Sequence, residues 1–201
     1  MPKTSLTRLS GEELLTAGGP VFFMHALETE LGWMAMLGNQ AGLAQLVFGC
    51  GCEAGAIAKL SAVPARPRER CDWFPSLAQR LTAYARGDRV TFDDVRLIGH
   101  DLSAFQGRVI EACRRIEFGR TLSYGALAAK AGSPGAARAV GNIMAGNIHP
   151  LVVPCHRVVH AGGSLGGFSA PDGARMKARL LAMEGAMPLS APRPRRTASV
   201  V

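Results

Sequence analysis

The chain has 201 residues, 48% of them hydrophobic, and a formal net charge of +8. This length and composition suffice for one sizeable core or for two small domains packed together. No run of 18 apolar residues occurs, and acidic Glu12 and Glu13 stand where a secretory signal would carry its apolar stretch. We therefore expect neither a transmembrane helix nor an exported protein.

The first half of the chain predicts a small α/β domain. Apolar runs separated by turn residues indicate three strands of an antiparallel meander, at residues 21–24, 33–37 and 43–48. Helices are expected at residues 53–60 and 76–86, the second because Leu77, Leu81 and Tyr84 share one face. The proline-rich stretch 62–75 is predicted to be a loop, and residues 95–98 a further short strand.

The second half predicts helices with clear end signals. Ser103 and Gln106 have capping-box spacing and begin a helix that we expect to stop at Gly119. Ser123 is expected to cap a second, short helix that ends at Gly132.

A third helix is predicted to begin at Ser133 and Pro134, which supply a cap and a proline at the first helical position. Two short helices joined by a tight glycine-containing turn are typical of a helix-turn-helix. The expected organisation is an α/β domain at residues 1–95, a mainly α domain with the helix-turn-helix at 96–186, and a disordered basic tail at 187–201.

The excess positive charge lies in the second half. Residues 1–100 carry 10 basic and 10 acidic side chains, whereas residues 101–201 carry 13 basic and 5 acidic ones. Such a surface attracts phosphate backbones without sequence preference. A solvated basic face without a partner has the same composition, so charge alone leaves both interpretations open.

Five cysteines, an odd number without a regular framework, argue against a disulfide-stapled secreted domain. We expect a reducing compartment, the cytoplasm of a bacterium or the nucleus of a eukaryote. Cys50, Cys52 and Cys71 could bind zinc together with His25 or His100. Because Cys-Gly-Cys is not the usual spacing of a zinc pair, we predict that no metal is bound.

The segment from Leu151 to Val159 places Cys155, His156 and Arg157 between apolar runs. A free thiol needs a nearby base to become a nucleophile, and an adjacent histidine is a candidate. A buried structural cysteine beside a surface histidine is the alternative.

Pro154–Val158 resembles the active-site motif of the O6-alkylguanine-DNA alkyltransferases, the methylated-DNA–protein-cysteine methyltransferase family. Four further segments between about Phe105 and Gly185 resemble the same family. They are Ser123–Ala128 (its first short helix), Ala136–Asn142 (its recognition helix), Gly166–Ser169 (its pocket loop) and Lys177–Gly185 (its last helix).

The resemblance implies DNA repair by a direct, stoichiometric transfer. Cys155 would take an alkyl group, such as methyl, from O6 of guanine, with O4 of thymine as a second candidate atom, and would thereby be inactivated. His156 would take the thiol proton through a water molecule, and Glu184 would orient His156. Tyr124 would donate a hydrogen bond or a proton to guanine N3 as the base leaves.

The resemblance also implies a pocket for the damaged base. Ser169 would donate to guanine O6, and the backbone carbonyls of Cys155 and Val158 would accept from the exocyclic amine. Asn147 would tie its turn to the active-site segment. Phe168, which stands where several family members carry tyrosine, and Lys177 would lie at the pocket.

Double-stranded DNA is the implied partner, bound in the minor groove with little sequence preference. The target nucleotide would be flipped out, with Arg138 filling its place in the stack. Small residues would let the recognition helix approach closely: Ala136, Ala137, Ala139 and Gly141. The resemblance implies a monomer without a cofactor or a membrane, and a ribonuclease H-like first domain.

Three other functions are consistent with parts of this pattern. A lesion-binding relative would keep the fold but lack the acceptor thiol, which Cys155 argues against. A cysteine hydrolase would turn over on an ester or a peptide, but no motif of that class is present. A helix-turn-helix regulator would bind one operator sequence, and its thiol would be incidental.

Overall fold

A computed structural model describes residues 21–61, 68–70, 73–98 and 101–186. The expected tail at 187–201 lies outside the described residues, as do Cys71 and His100 of the zinc alternative.

The first half forms a four-stranded sheet of order β3-β2-β1-β4. Its strands are β1 (Phe22–Leu27), β2 (Trp33–Asn39), β3 (Gly42–Cys50) and β4 (Arg68–Arg70). The first three pair antiparallel, with Met24 opposite Leu37 and Met36 opposite Leu46, which confirms the predicted meander.

Two predictions for this half are wrong. The stretch expected to be only a loop contains β4, which pairs in parallel with the free edge of β1. Its sequence, Arg-Glu-Arg, has no apolar alternation that would predict a strand. Such a strand can still form, because strands pair through backbone hydrogen bonds. The strand expected at 95–98 is one isolated bridge between Leu97 and Leu43, since only Arg96 and Ile98 exchange backbone hydrogen bonds with Leu43.

Two helices belong to this half of the chain: α1 (Glu53–Ala58) lies between β3 and β4, and α2 (Pro75–Ala85) follows β4. The Cys52 side chain caps α1 by accepting a hydrogen bond from the Gly55 backbone. The apolar face predicted for α2 is confirmed, because Leu77, Leu81 and Tyr84 are all buried.

The second half begins with α3 (Ala104–Arg114), whose predicted capping box is present. The Ser103 hydroxyl accepts from the Gln106 backbone at 3.2 Å, and the Gln106 side chain accepts from the Ser103 backbone at 2.9 Å. The predicted stop at Gly119 is wrong, because the helix ends at Arg114. The guanidinium of this arginine is buried and donates to backbone carbonyls that precede the helix, those of residues 92, 93 and 95.

The helix-turn-helix consists of α4 (Tyr124–Lys130) and α5 (Ala137–Ala145). The cap at Ser123 is confirmed, and Gly132 has the positive φ of +76° that follows many helix ends. The start of the third helix at Ser133 is wrong, because α5 begins at Ala137. Gly135 has a φ of +89°, and a helix that began at Pro134 could not pass through this conformation.

Four further elements complete the second half of the chain. A 3₁₀-helical turn (Cys155–Arg157) leads into β6 (Val158–Val159), which pairs in parallel with β5 (Leu122–Ser123). The last helix is α6 (Ala174–Met183). The pair β5–β6 joins the start of the helix-turn-helix to the segment that carries the thiol.

One hydrophobic cluster contains side chains from both halves, for example Leu46 and Phe48 with Val109, Val140 and Val153. The α/β first half and the mainly helical second half with its helix-turn-helix agree with the predicted fold class. The division near residue 95 stays a prediction. None of the helices in the described part of the chain is both long and apolar enough to cross a membrane.

Replacing Ser103 with alanine is expected to lower the free energy of unfolding by about 1 kcal/mol, because the cap is lost at an otherwise unchanged helix. Urea denaturation monitored by circular dichroism measures this change. Ser76→Ala, in the first turn of α2 where no side-chain cap exists, is the matched control. Equal effects of the two substitutions would contradict the role of the capping box.

Candidate active site

Cys155 is held in place by a tight loop and by Asn147. The loop closes where Val153 N–H donates to the His149 carbonyl, and Leu151 within it has a φ of +70°. The Asn147 amide nitrogen donates to the Val153 carbonyl at 2.8 Å and to the Cys155 sulfur at 3.0 Å. The role predicted for Asn147, tying its turn to the active-site segment, therefore matches its position.

The thiol of Cys155 is buried, with 4% of the residue exposed. Burial raises the pKa of Cys155, and the hydrogen bond from Asn147 and the positive charge of Lys177 only partly oppose this effect. The resting side chain is therefore a thiol. It needs a base at the moment of attack.

His156 is fully buried, and its Nε2 lies 2.8 Å from Oε1 of Glu184. Burial lowers the pKa of His156, although the hydrogen bond with Glu184 opposes this. The imidazole is thus neutral near pH 7. Its Nδ1 is buried and has no hydrogen-bond partner among the described residues. A proton on Nε2 leaves Nδ1 with the lone pair that can accept a proton.

The carboxylate of Glu184 accepts five hydrogen bonds. Oε1 accepts from Tyr84 at 2.6 Å, from His156 at 2.8 Å and from Arg157 at 2.9 Å. Oε2 accepts from Arg157 at 2.9 Å and from the Gly119 backbone at 3.2 Å. Burial alone would raise the pKa of Glu184, but the hydrogen bonds from His156 and Arg157 outweigh it and hold the pKa far below its ordinary range.

Sequence reasoning missed two members of this site. Arg157 lies in the predicted active-site segment, but Glu184, with which it makes a buried contact, lies 27 positions away in the chain. Tyr84 was assigned to the apolar face of α2, and nothing in that face shows that its hydroxyl reaches Glu184. The one sequence feature that could have predicted either residue is the position of Arg157 next to His156.

Lys177 is buried, and its ammonium group donates to the Val158 carbonyl at 2.6 Å. The nitrogen lies 5.7 Å from the centre of the Tyr124 ring. Burial lowers the pKa of Lys177 to about 8, and the negative charge that Cys155 carries as a thiolate opposes this. Lys177 is therefore a cation near pH 7, placed to stabilise a thiolate.

A pocket of about 630 Å³ lies in front of the thiol. It brings together seven of the predicted site residues: Tyr124, Ala137, Arg138, Gly141, Cys155, Phe168 and Ser169. Phe168 packs against Phe48 of β3, with ring centres 6.2 Å apart. The remaining predicted residues do not line the pocket: Ala136, Ala139, Asn147, His156, Val158, Lys177 and Glu184.

The rim of the pocket depends on Gly166. Its φ is +72°, and a Cβ there would lie 3.0 Å from the Tyr124 hydroxyl and from Nε2 of His160. Only glycine fits this approach without strain. His160 also lines the pocket, and its ring centre lies 5.2 Å from that of Tyr124. Burial raises the pKa of Tyr124, so its hydroxyl remains a proton donor.

The backbone carbonyls of Cys155 and Val158, which are predicted to accept from the exocyclic amine of guanine, each accept one hydrogen bond within the protein. Val158 accepts from Lys177, and Cys155 accepts from the Val158 backbone. A carbonyl has two lone pairs, so each can accept another bond. Within the described ranges, no three His, Cys, Asp or Glu side chains form a group that could hold a metal ion.

Comparison with known proteins identifies the family. The family model described as "6-O-methylguanine DNA methyltransferase, DNA binding domain" matches residues 104–186. A methylated-DNA–protein-cysteine methyltransferase of Methanosarcina acetivorans is 35% identical over 160 residues, which cover 79% of this chain and 95% of that protein. The chain belongs to the methylated-DNA–protein-cysteine methyltransferase family.

Two more comparisons agree with the methyltransferase family. A member from Mycolicibacterium paratuberculosis is 44% identical over 112 residues, and the match covers 55% of this chain and 65% of that protein. The crystal structure of Mycobacterium tuberculosis OGT in complex with DNA has a TM-score of 0.67 at 30% identity, covering 82% of this chain and 94% of that one. The resemblance and the fold class predicted from the sequence are thus confirmed.

Replacing Lys177 with methionine is expected to slow alkylation of Cys155 by iodoacetamide at pH 7. Loss of the neighbouring cation raises the pKa of Cys155, and roughly tenfold less thiolate corresponds to one pKa unit. Because the pKa of Lys177 is about 8, the wild-type advantage should shrink as the pH rises above that value.

Peptide mass spectrometry follows this reaction at Cys155, with exposed Cys52 in the same sample as an internal reference. Lys130→Met, at an exposed position on α4, is the matched control. A Lys177→Met protein with the wild-type rate at every pH would show that the ammonium group does not act on the thiol.

Proposed function

We propose that this protein repairs double-stranded DNA by transferring an alkyl group, methyl in the simplest case, from O6 of guanine to Cys155. The observation that carries the proposal is the buried thiol that faces a pocket, beside a neutral histidine whose Nδ1 is free and whose Nε2 is held by an ionised carboxylate. O4 of thymine is a second candidate atom.

The reaction begins with removal of the thiol proton. The proton passes from Cys155 through a water molecule to Nδ1 of His156, and Glu184 stabilises the imidazolium that results. The thiolate attacks the alkyl carbon in line with the bond to O6. A carbon–sulfur bond forms as the carbon–oxygen bond breaks, and the electron pair of that bond stays with guanine.

Guanine anion is a poor leaving group, so a proton donor at the base lowers the barrier. Tyr124 lines the pocket and keeps its hydroxyl proton, since burial raises its pKa. It donates its proton to N3 of the departing base and then recovers a proton from solvent, while the imidazolium of His156 returns the thiol proton to solvent. The products are an S-alkyl cysteine and an unmodified guanine.

A buried sulfur cannot reach O6 inside a stacked duplex, so the nucleotide must be flipped into the pocket. Arg138 is exposed on α5 at the edge of this pocket, where it can fill the gap left in the stack. Small residues around it let the helix lie close to a narrow minor groove. Minor-groove contacts give little sequence information, which suits lesions that arise anywhere.

The transfer is stoichiometric. The thioether at Cys155 is stable, because a neutral sulfide does not release its alkyl group to the weak nucleophiles that line the pocket, the hydroxyls of Tyr124 and Ser169 and the imidazole of His160. Each molecule therefore acts once, as a methylated-DNA–protein-cysteine S-methyltransferase, and the reaction as written needs neither a redox cofactor nor a nucleotide.

Incubation with a duplex that contains O6-methylguanine is expected to add one methyl group per chain, and only at Cys155. Intact and peptide mass spectrometry measure the product. Cys155→Ala should gain no mass, whereas Cys52→Ala, at an exposed cysteine outside the pocket lining, should be methylated like wild type. Tight duplex binding without any mass gain would instead establish lesion recognition without transfer.

Replacing Arg138 with alanine is expected to slow methyl transfer from the duplex at least about tenfold, a loss of about 1.4 kcal/mol in the transition state. The free base O6-methylguanine needs no flipping, so its slow reaction should be unchanged. Single-turnover mass measurements give both rates.

Arg86→Ala, at an exposed position just after α2, is the control for loss of one positive charge. An equal loss of rate with the duplex and with the free base would assign Arg138 to the chemistry rather than to flipping.

A further inference from the structure

The hydroxyl of Tyr84 is the one group from the first half of the chain that touches the catalytic residues through a described side-chain hydrogen bond. It donates to Oε1 of Glu184 at 2.6 Å and lies 3.2 Å from Nε2 of His156. Tyr84 is fully buried. Neither apolar packing nor the capping of a helix requires a hydroxyl at this point.

The direction of these hydrogen bonds follows from the charges. A phenol has one proton, and the ionised carboxylate at 2.6 Å is a far stronger acceptor than an imidazole nitrogen at 3.2 Å. The Tyr84 oxygen therefore faces Nε2 with its lone pairs. Both neighbours of Nε2, the carboxylate and the phenol oxygen, are then acceptors, so this nitrogen carries a proton whether the imidazole is neutral or charged.

The same hydroxyl limits how strongly Glu184 holds an imidazolium. Oε1 already shares its negative charge with donors on Arg157 and Tyr84. The short bond from Tyr84 stabilises the carboxylate further, and a carboxylate so stabilised attracts the Nε2 proton less. Four other ionisable groups surround His156 or interact with it: Glu184, Arg157, Lys177 and the thiol of Cys155.

We propose that Tyr84 is a positioning residue of the active site. It fixes the carboxylate of Glu184 and keeps the proton of His156 on Nε2, so that Nδ1 alone exchanges protons with the thiol. This inference rests on the proposed function, in which His156 takes the thiol proton. It also gives the first half of the chain a part in the reaction, because α2 completes the hydrogen-bond network of the second half.

The packing of the ring is separable from this role. The Tyr84 ring makes edge contacts with Phe92 and Phe118 at centroid distances of 6.1 and 6.2 Å. Tyr84→Phe keeps these contacts and leaves four hydrogen bonds to Glu184, so the variant is expected to fold. Thr82→Val on the same helix removes a hydroxyl that bonds only the Ala78 carbonyl and serves as the matched control.

Two measurements on the full chain test the proposal. The first is an NMR titration of ¹⁵N-histidine-labelled protein, with His156 assigned through the His156→Gln variant. In wild type the neutral ring should carry its proton on Nε2. In Tyr84→Phe the pKa of His156 should rise, because loss of the 2.6 Å bond leaves Glu184 to hold the imidazolium more tightly, and this outweighs loss of the 3.2 Å contact between the phenol oxygen and Nε2.

The second measurement is the pH dependence of single-turnover methyl transfer from an O6-methylguanine duplex. Transfer needs neutral His156, so a raised pKa slows it on the acid side. For a rise of one pKa unit, we expect Tyr84→Phe to be about tenfold slower than wild type at pH values well below the pKa of His156 and to converge with wild type well above it. Thr82→Val should match wild type throughout.

Neutral His156 protonated on Nδ1 in wild type, or an unchanged His156 pKa with a rate ratio independent of pH in Tyr84→Phe, would overturn the proposal. The titration needs no DNA, so it tests the role of Tyr84 independently of the proposed methyl transfer. If wild type accepts no methyl group but Tyr84→Phe still raises the pKa of His156, the proposed function fails while the positioning role of Tyr84 stands.

Discussion

The structure depends on one buried negative charge, the carboxylate of Glu184. An ionised group inside a protein is tolerated only when its partners replace the water it has lost. Here those partners come from three places in the chain, which are α2, the turn at Gly119 and the 3₁₀-helical turn, and Glu184 itself directly follows α6. Satisfying one carboxylate therefore fixes these segments relative to each other, and with them the position of the thiol.

Burial keeps the other reacting groups uncharged at rest. It raises the pKa of Cys155 and lowers that of His156, so the pair is a thiol and a neutral imidazole rather than an ion pair. Charge separates only when a proton moves between them. This arrangement suits the acceptor thiol of the proposed single-use reaction, because a permanent thiolate would react with any electrophile or oxidant before it met its substrate.

The elements that short-range patterns specify were predicted correctly from the sequence. The meander follows from apolar alternation, and the capping box needs only Ser103 and Gln106. The errors at β4 and at the end of α3 arose where distant contacts decide. Arg114 ends its helix among carbonyls of an earlier loop, and β4 exists because β1 offers a free edge. In the site, Cys155 and His156 could be predicted because they are adjacent in the sequence. The hydroxyl of Tyr84 could not, because its partner Glu184 lies 100 positions away.

The first half also sets where the pocket stands. The segment that carries the thiol is anchored to β3, because the Ile148 carbonyl accepts from the Leu46 backbone and the His149 ring bonds the Leu43 carbonyl. Phe48 of the same strand supports Phe168 at the pocket. Since residues 1–100 carry no net charge and residues 101–201 carry the whole excess, attraction to phosphate acts on the helix-turn-helix half. The neutral half can thus hold the reacting groups in place without weakening the attraction of the second half to phosphate.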